Sequence, residues 1–213
     1  MVQITPAILS TSEEDYSRDH SRYEQSELLK GGWVHIDFMD NIFVPNKSIG
    51  PLMTTKYHTD LRKEAHLMVQ HPMKWFADLI EAGFERIIFH IEAADDIEEC
   101  LEYIKSRGLQ VGLAINHETP IESLSTFVFK IDMVLVMSIE PGFQGQPFII
   151  GCLDKIRQIK SKNWPVKLAV DGAVNDQNAR VIVEAGADDL IVGSFLLTGD
   201  IDDNLEKIWA ALR

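Results

Sequence analysis

Short apolar runs rich in Val, Ile and Leu alternate along the chain with longer stretches whose apolar positions recur every three or four residues. The short runs read as strands buried on both faces, and the longer ones as helices that bury a single stripe. Strands are predicted at Ile4–Leu9, Trp33–Met39, Ala65–Val69, Arg86–Ile91, Gln110–Ile115, Met133–Ser138, Val166–Val170 and Leu190–Val192. Helical stripes follow at Trp75, Phe76, Leu79 and Ile80, at Ile97, Leu101 and Ile104, at Leu153, Ile156 and Ile159, and at Leu205, Ile208, Trp209 and Leu212. These stripes read as core, and none is assigned a cofactor role. Alternating elements with about eight strands predict an α/β fold, a single (β/α)8 TIM barrel with a parallel core spanning residues 1–213 as one domain.

Composition supports a folded globular chain, with 46% hydrophobic and 25% charged residues. The formal net charge of −13 comes with no basic stripe, so nucleic acid and anionic membrane surfaces are excluded as expected partners. A small anion remains compatible, because converging backbone N–H groups bind phosphate even in an acidic protein. Cys100 and Cys152 have no metal-site or disulfide spacing and are read as free structural thiols. No leader pattern and no apolar run of about 18 residues is found, and a cytoplasmic location is expected.

The candidate chemistry lies at the strand ends. A strand's period of two puts His35, Asp37 and Met39 on one face. His66 and Met68 end the next strand, and Asp171 ends a later one just before Gly172. A strand His and Asp two apart are commonly a satisfied polar pair. Ligands gathered from several strand ends, however, are how a barrel assembles its site. Together His35, Asp37, His66 and Asp171 form a two-nitrogen, two-oxygen set suited to one divalent metal: Zn, Fe, Mn or Co. Met39, Met68 and Met137 fall at matching places and are read either as core or as a water-excluding cap over the reacting centre. Gly142 and Gly145 after the Met137 strand, Gly172, and the Gly193-Ser194 pair closing the last strand outline a phosphate cup.

From end to end, the chain resembles the ribulose-phosphate 3-epimerase family. The resemblance is carried by His35-Ile36-Asp37-Phe38-Met39-Asp40, Phe43-Val44-Pro45-Asn46, His66-Leu67-Met68-Val69, Phe89-His90-Ile91-Glu92, Val136-Met137, Glu140-Pro141-Gly142-Phe143, Gly145-Gln146, Val170-Asp171-Gly172 and Gly193-Ser194. It implies that His35, Asp37, His66 and Asp171 hold one catalytic divalent metal and that Asp37 and Asp171 form the proton-transferring pair. It also implies phosphate binding by the backbone around Gly142, Gly172, Ala173, Gly193 and Ser194. The expected partner is a small ketose phosphate, and a homo-oligomer is the expected assembly.

The chain also departs from the family pattern. Pro6-Ala7 replaces Pro-Ser, which removes a hydroxyl expected to face the substrate; Asn41, Gln144 and Ala173 stand where small residues, mostly Gly, are usual. Glu118-Thr119-Pro120 and Gln146-Pro147-Phe148-Ile149 are similar to the allulose-6-phosphate 3-epimerase branch, so a hexulose phosphate is a second candidate substrate. A barrel that only binds a sugar phosphate is the non-catalytic alternative. Related decarboxylases and synthases are disfavoured, because the strand carrying His35-Ile36-Asp37 lacks their lysine. His90 is read as a hydrogen-bonded support, His117 as a modulator of access, and His20, His58 and His71 as surface or turn residues.

Overall fold

The continuous apolar runs form strands because their side chains are covered on both sides, by the barrel interior and by the surrounding helices. The structure, a computed structural model, describes residues 2–213. Its strands are β1 (Gln3–Ile8), β2 (Trp33–Met39), β3 (Arg62–Met68), β4 (Arg86–His90), β5 (Gln110–Ile115), β6 (Met133–Met137), β7 (Lys167–Asp171) and β8 (Asp189–Val192). All pair in parallel with their sequence neighbours, and β8 pairs with β1 to close the barrel. The predicted strands match to within a few residues: Leu9, Val69, Ile91, Ser138 and Val166 fall just outside them, and β3 starts earlier, at Arg62.

The helices are α1 (Glu13–Glu24), α2 (Phe76–Glu81), α3 (Ile97–Ser106), α4 (Cys152–Ser161), α5 (Ala179–Ala185) and α6 (Ile201–Leu212). Short 3-10 turns at Pro51–Lys56 and Ile121–Leu124 occupy the β2–β3 and β5–β6 connections in place of a full helix. The apolar pattern predicts neither α1 nor α5. The buried positions of α1 are Tyr16, Asp19, His20 and Tyr23, a stripe too polar to register as apolar, and its start is set by the Ser12 hydroxyl accepting from the Asp15 amide at 3.1 Å. His20, expected at the surface, is buried and stacked on Tyr16 at 5.6 Å between ring centroids. His58 is exposed as expected, and His71 meets Asp95 at 2.8 Å. Cys100 and Cys152 are free and buried, and burial pushes both thiols up, to about 12 and about 11.

Register decides what the barrel encloses. His35 pairs across to Glu64, Asp37 to His66 and Met39 to Met68, so three successive inward rungs of β2 and β3 hold the imidazoles, two carboxylates and two methionines. The opposite part of the interior is apolar or small, with Ala114, Met133, Leu135, Met137, Ala169 and Ile191 in one buried cluster. The helices pack outside over a larger core that includes Phe76, Leu101, Ile104, Ile156, Leu205 and Ile208.

Candidate active site

A cavity with about 510 Å³ of empty space opens at the C-terminal end of the strands, the face on which barrels of this kind carry their sites. Asp37 and Asp171 line its floor, with Met68 and Met137 beside them. Gly142, Gly145, Gly172, Ala173, Gly193 and Ser194 line its wall. Met39 does not reach the lining: it packs with Met68 and Val44, so two of the three methionines line the cavity and the third does not. His35 and His66 are fully buried beneath the floor.

The wall glycines are set by close approach. Gly172 (φ +117°) would place a Cβ 2.5 Å from the Ile139 side chain, and Gly142 (φ +110°) would place one 2.9 Å from Val44. Ala173 is left-handed as well (φ 53°), as is Asn41 (φ 62°), so both departures from glycine are carried in backbone that disfavours a side chain. The Asn46 amide donates to the Gly142 carbonyl at 2.9 Å and ties the β2 loop to the β6 loop.

The two imidazoles are oriented from behind. His35 Nδ1 lies 2.6 Å from the Glu64 carboxylate, which can only accept, so Nδ1 carries a proton and Nε2 is left facing inward. That Nε2 is buried without a hydrogen bond among the described residues, and an Asp37 carboxylate oxygen lies 3.4 Å away. Glu64 is in turn held by Arg86 at 2.5 Å; the Arg86 guanidinium sits 4.0 Å over the Trp33 ring and donates to Gln110 at 2.6 and 2.8 Å. On the other side, His90 Nδ1 donates to Glu92 at 3.1 Å, and burial holds His90 down to about 4, so the ring is neutral and its Nε2 accepts. His66 Nε2 must then be the donor across the 3.0 Å contact with His90, which leaves His66 Nδ1 facing Asp37 at 2.9 Å and Asp171 at 3.7 Å.

Four acceptors therefore converge: two imidazole nitrogens and the carboxylates of Asp37 and Asp171, with ligand atoms all within 4.8 Å of one another. Such a set is repulsive unless a positive charge stands among it. With no cation among them, burial opposes charging His35, yet the nearby Asp37 carboxylate and the hydrogen-bonded Glu64 outweigh it and raise the imidazole well above its ordinary value. Asp37 is likewise opposed by burial but held well below the usual carboxylate range by His35 and His66. Asp171 has no hydrogen bond to either imidazole, and burial, followed by the charge of Asp37, outweighs their charges and lifts it to about 6. Two nitrogens and two oxygens at these separations fit a divalent cation.

The profile of the ribulose-phosphate 3 epimerase family matches residues 3–197. The chain belongs to the ribulose-phosphate 3-epimerase family. Among its relatives, the ribulose-phosphate 3-epimerase of Chlamydia muridarum is 39% identical over 82% of this chain and 80% of its own length. That of Escherichia coli strain K12 is 36% identical over 90% and 87%, and that of Bacillus subtilis 34% over 91% of each. Solved structures similar in fold include 3-hexulose-6-phosphate synthase from Salmonella typhimurium, with a TM-score of 0.72 at 15% identity over 99% of this chain and 98% of that one. That likeness concerns the barrel alone. Membership makes this chain a carbohydrate epimerase, an isomerase. No helix among the described residues is long and apolar enough to cross a membrane.

The cavity and the buried cluster beneath it bring together all four residues read as ligands and all six wall residues read as the phosphate cup. Sequence reading missed Glu64 and Arg86. Glu64 and His66 share a face by the period of two, as do Arg86 and His90, but that spacing marks only the face and not the pairing across strands that sets Glu64 behind His35.

Proposed function

We propose that the protein interconverts D-ribulose 5-phosphate and D-xylulose 5-phosphate by removing the C3 proton from one face and delivering another to the opposite face. The observation that carries this reading is the ring of four inward acceptors with a carboxylate at each of two separated positions, β2 and β7, on the cavity floor. Inverting C3 requires a proton to leave one face of a planar enediolate and another to arrive on the opposite face. Asp37 and Asp171 are assigned these two roles, which they exchange in the reverse direction.

His35, Asp37, His66 and Asp171 would hold one divalent metal, Zn, Fe, Mn or Co, which when bound supplies charge stabilisation to the oxygens that become anionic. His35 and His66 present their free nitrogens to that position because Glu64 and His90 occupy the other ring nitrogen of each. Met68 and Met137 exclude water beside the reacting carbon. The backbone around Gly142, Gly172, Ala173, Gly193 and Ser194 receives the phosphate. The whole chain acts as one barrel domain, a soluble cytoplasmic enzyme expected to assemble with copies of itself.

The test is proton NMR of chelator-treated protein, before and after loading with Zn, Mn, Fe or Co, given D-ribulose 5-phosphate and D-allulose 6-phosphate in parallel. Metal-dependent conversion of the pentulose phosphate at the higher kcat/KM supports the proposal. A higher kcat/KM for allulose 6-phosphate would reassign the substrate to the hexulose branch suggested by Glu118-Thr119-Pro120 and Gln146-Pro147-Phe148-Ile149. Binding without turnover of either sugar would leave a sugar-phosphate-binding barrel.

A further inference from the structure

The reaction proposed above brings a phosphate dianion into a cavity whose floor carries Asp37 and Asp171, in a chain of net charge −13. No Lys, Arg or His is among the described residues lining that cavity. The phosphate must therefore be held by neutral donors: backbone N–H groups, the Ser194 hydroxyl, and the one nitrogen-bearing side chain of the lining, Gln144.

Gln144 is placed for that task. Its Nε2 lies 3.3 Å from the point where a Gly193 side chain would begin, and the Ala7 Cβ and carbonyl oxygen lie 3.7 Å from the same point. The amide thus hangs over the Gly193-Ser194 turn, in space left by the bare Gly193 and the small Ala7. Two residues further along the same loop, the Gln146 amide donates to the Glu140 carbonyl at 2.6 Å and the Phe143 carbonyl at 2.9 Å, whereas the Gln144 side chain makes no hydrogen bond among the described residues. One glutamine fixes the loop, and the other keeps its donors free at the cavity.

We propose that the Gln144 carboxamide donates a hydrogen bond to the phosphate of the bound ketose phosphate, adding a side-chain grip to the backbone cup. This rests on the epimerase reading. A hydrogen bond to a charged group at a partly exposed position corresponds to about a tenfold change in affinity.

The test compares the metal-loaded wild type with Gln144→Ala and Gln144→Glu. Gln144→Ala raises KM for D-ribulose 5-phosphate about tenfold and leaves kcat within about twofold, and it weakens binding of inorganic phosphate, measured by calorimetry, by the same factor. Gln144→Glu keeps the shape but sets a carboxylate beside the dianion, so it weakens both further. A merely structural role would make the isosteric Glu variant the milder of the two. Unchanged KM and phosphate affinity in both variants, or a loss confined to kcat, overturns the proposal. So does a wild type that binds no phosphate. The calorimetry separates the two readings: absent turnover with Gln144-dependent phosphate binding removes the epimerase reading alone, and turnover with Gln144-independent binding removes the donor alone.

Discussion

Two walls of the same barrel solve opposite problems. Inside β2, β3 and β4 lie His35, Asp37, Glu64, His66, Arg86 and His90, all buried; inside β5 and β6 lie Gly112, Ala114, Met133, Leu135 and Met137. The polar wall must satisfy every group it buries, and it does so with two chains of contacts, His35–Glu64–Arg86–Gln110 and His66–His90–Glu92, that leave unpaired lone pairs only at the site. The apolar wall needs only volume: a Gly112 Cβ would stand 3.0 Å from Ile88 and 3.3 Å from the Met133 carbonyl. One wall therefore fixes direction, the other fixes shape, and substitutions should separate the two by which property fails.

The largest effect is expected on the floor of the polar wall and its partner across the barrel. Asp37→Asn and Asp171→Asn should each lower kcat at least about a thousandfold, because on the proposed reading each would remove both a proton-transfer group and a metal ligand. Steady-state turnover with metal content measured in parallel checks this; either variant retaining most of its turnover would break the assignment. One layer back, Glu64→Gln should weaken metal affinity by about ten- to a hundredfold and destabilise the fold by about 3 kcal/mol, since it frees His35 from its orienting carboxylate and leaves Arg86 buried without its counter-charge. Metal titration and chemical denaturation read the two separately.

On the apolar wall, Leu135→Ala should cost about 2–5 kcal/mol of stability from the cavity left in a fully buried position, with metal affinity of the folded enzyme nearly unchanged. A metal affinity that fell as far as in Glu64→Gln would erase the distinction between the walls.

The last effect depends on pH and lies at the bottom of the barrel, away from the site. Asp189 is buried, accepts from the Thr5 hydroxyl at 2.9 Å through one oxygen, and has no partner for the other among the described residues; burial, with the charge of Glu64, lifts it from 3.8 to about 7. A folded-state value above the unfolded one means that the native state keeps a proton which the unfolded state gives up. Stability is then fully present below about pH 4 and is lost as pH rises to about 7. Asp189→Asn should therefore gain on the wild type across that window, by up to about 4 kcal/mol, and level off above it. Urea melts at pH 4, 5.5 and 8 measure the difference, and a gap that stays constant with pH would contradict it.

The strands and the four inward acceptors were legible because both rest on short-range periodicity: continuous apolar runs mark strands covered on two sides, and a spacing of two puts His35 and Asp37 on one face. Three features were not legible, each for a different reason. Helix α1 buries Tyr16, Asp19, His20 and Tyr23, so its inward stripe carries little apolar signal. Glu64 follows Arg62 and Lys63 in a run that reads as a solvated strand start, and only the barrel's register, which sets it opposite His35, turns it into a buried support. Gln144 stands out in the sequence only as a departure from a small residue, and its place over the Gly193-Ser194 turn appears when folding brings β8 and β1 beside it. Local pattern thus specifies which residues face inward, while the pairings across the barrel depend on register.

The proton transfer at C3 is the most direct point of attack. Metal-loaded wild-type enzyme is run in D2O with D-ribulose 5-phosphate, and deuterium at C3 of both epimers is followed by NMR beside Asp37→Asn and Asp171→Asn. The two-carboxylate mechanism requires D-xylulose 5-phosphate labelled at C3 from the wild type. It also requires that each variant lose interconversion, with any residual exchange confined to the one epimer that the remaining carboxylate faces. Product formed without label at C3, or interconversion that survives in both variants, would contradict it.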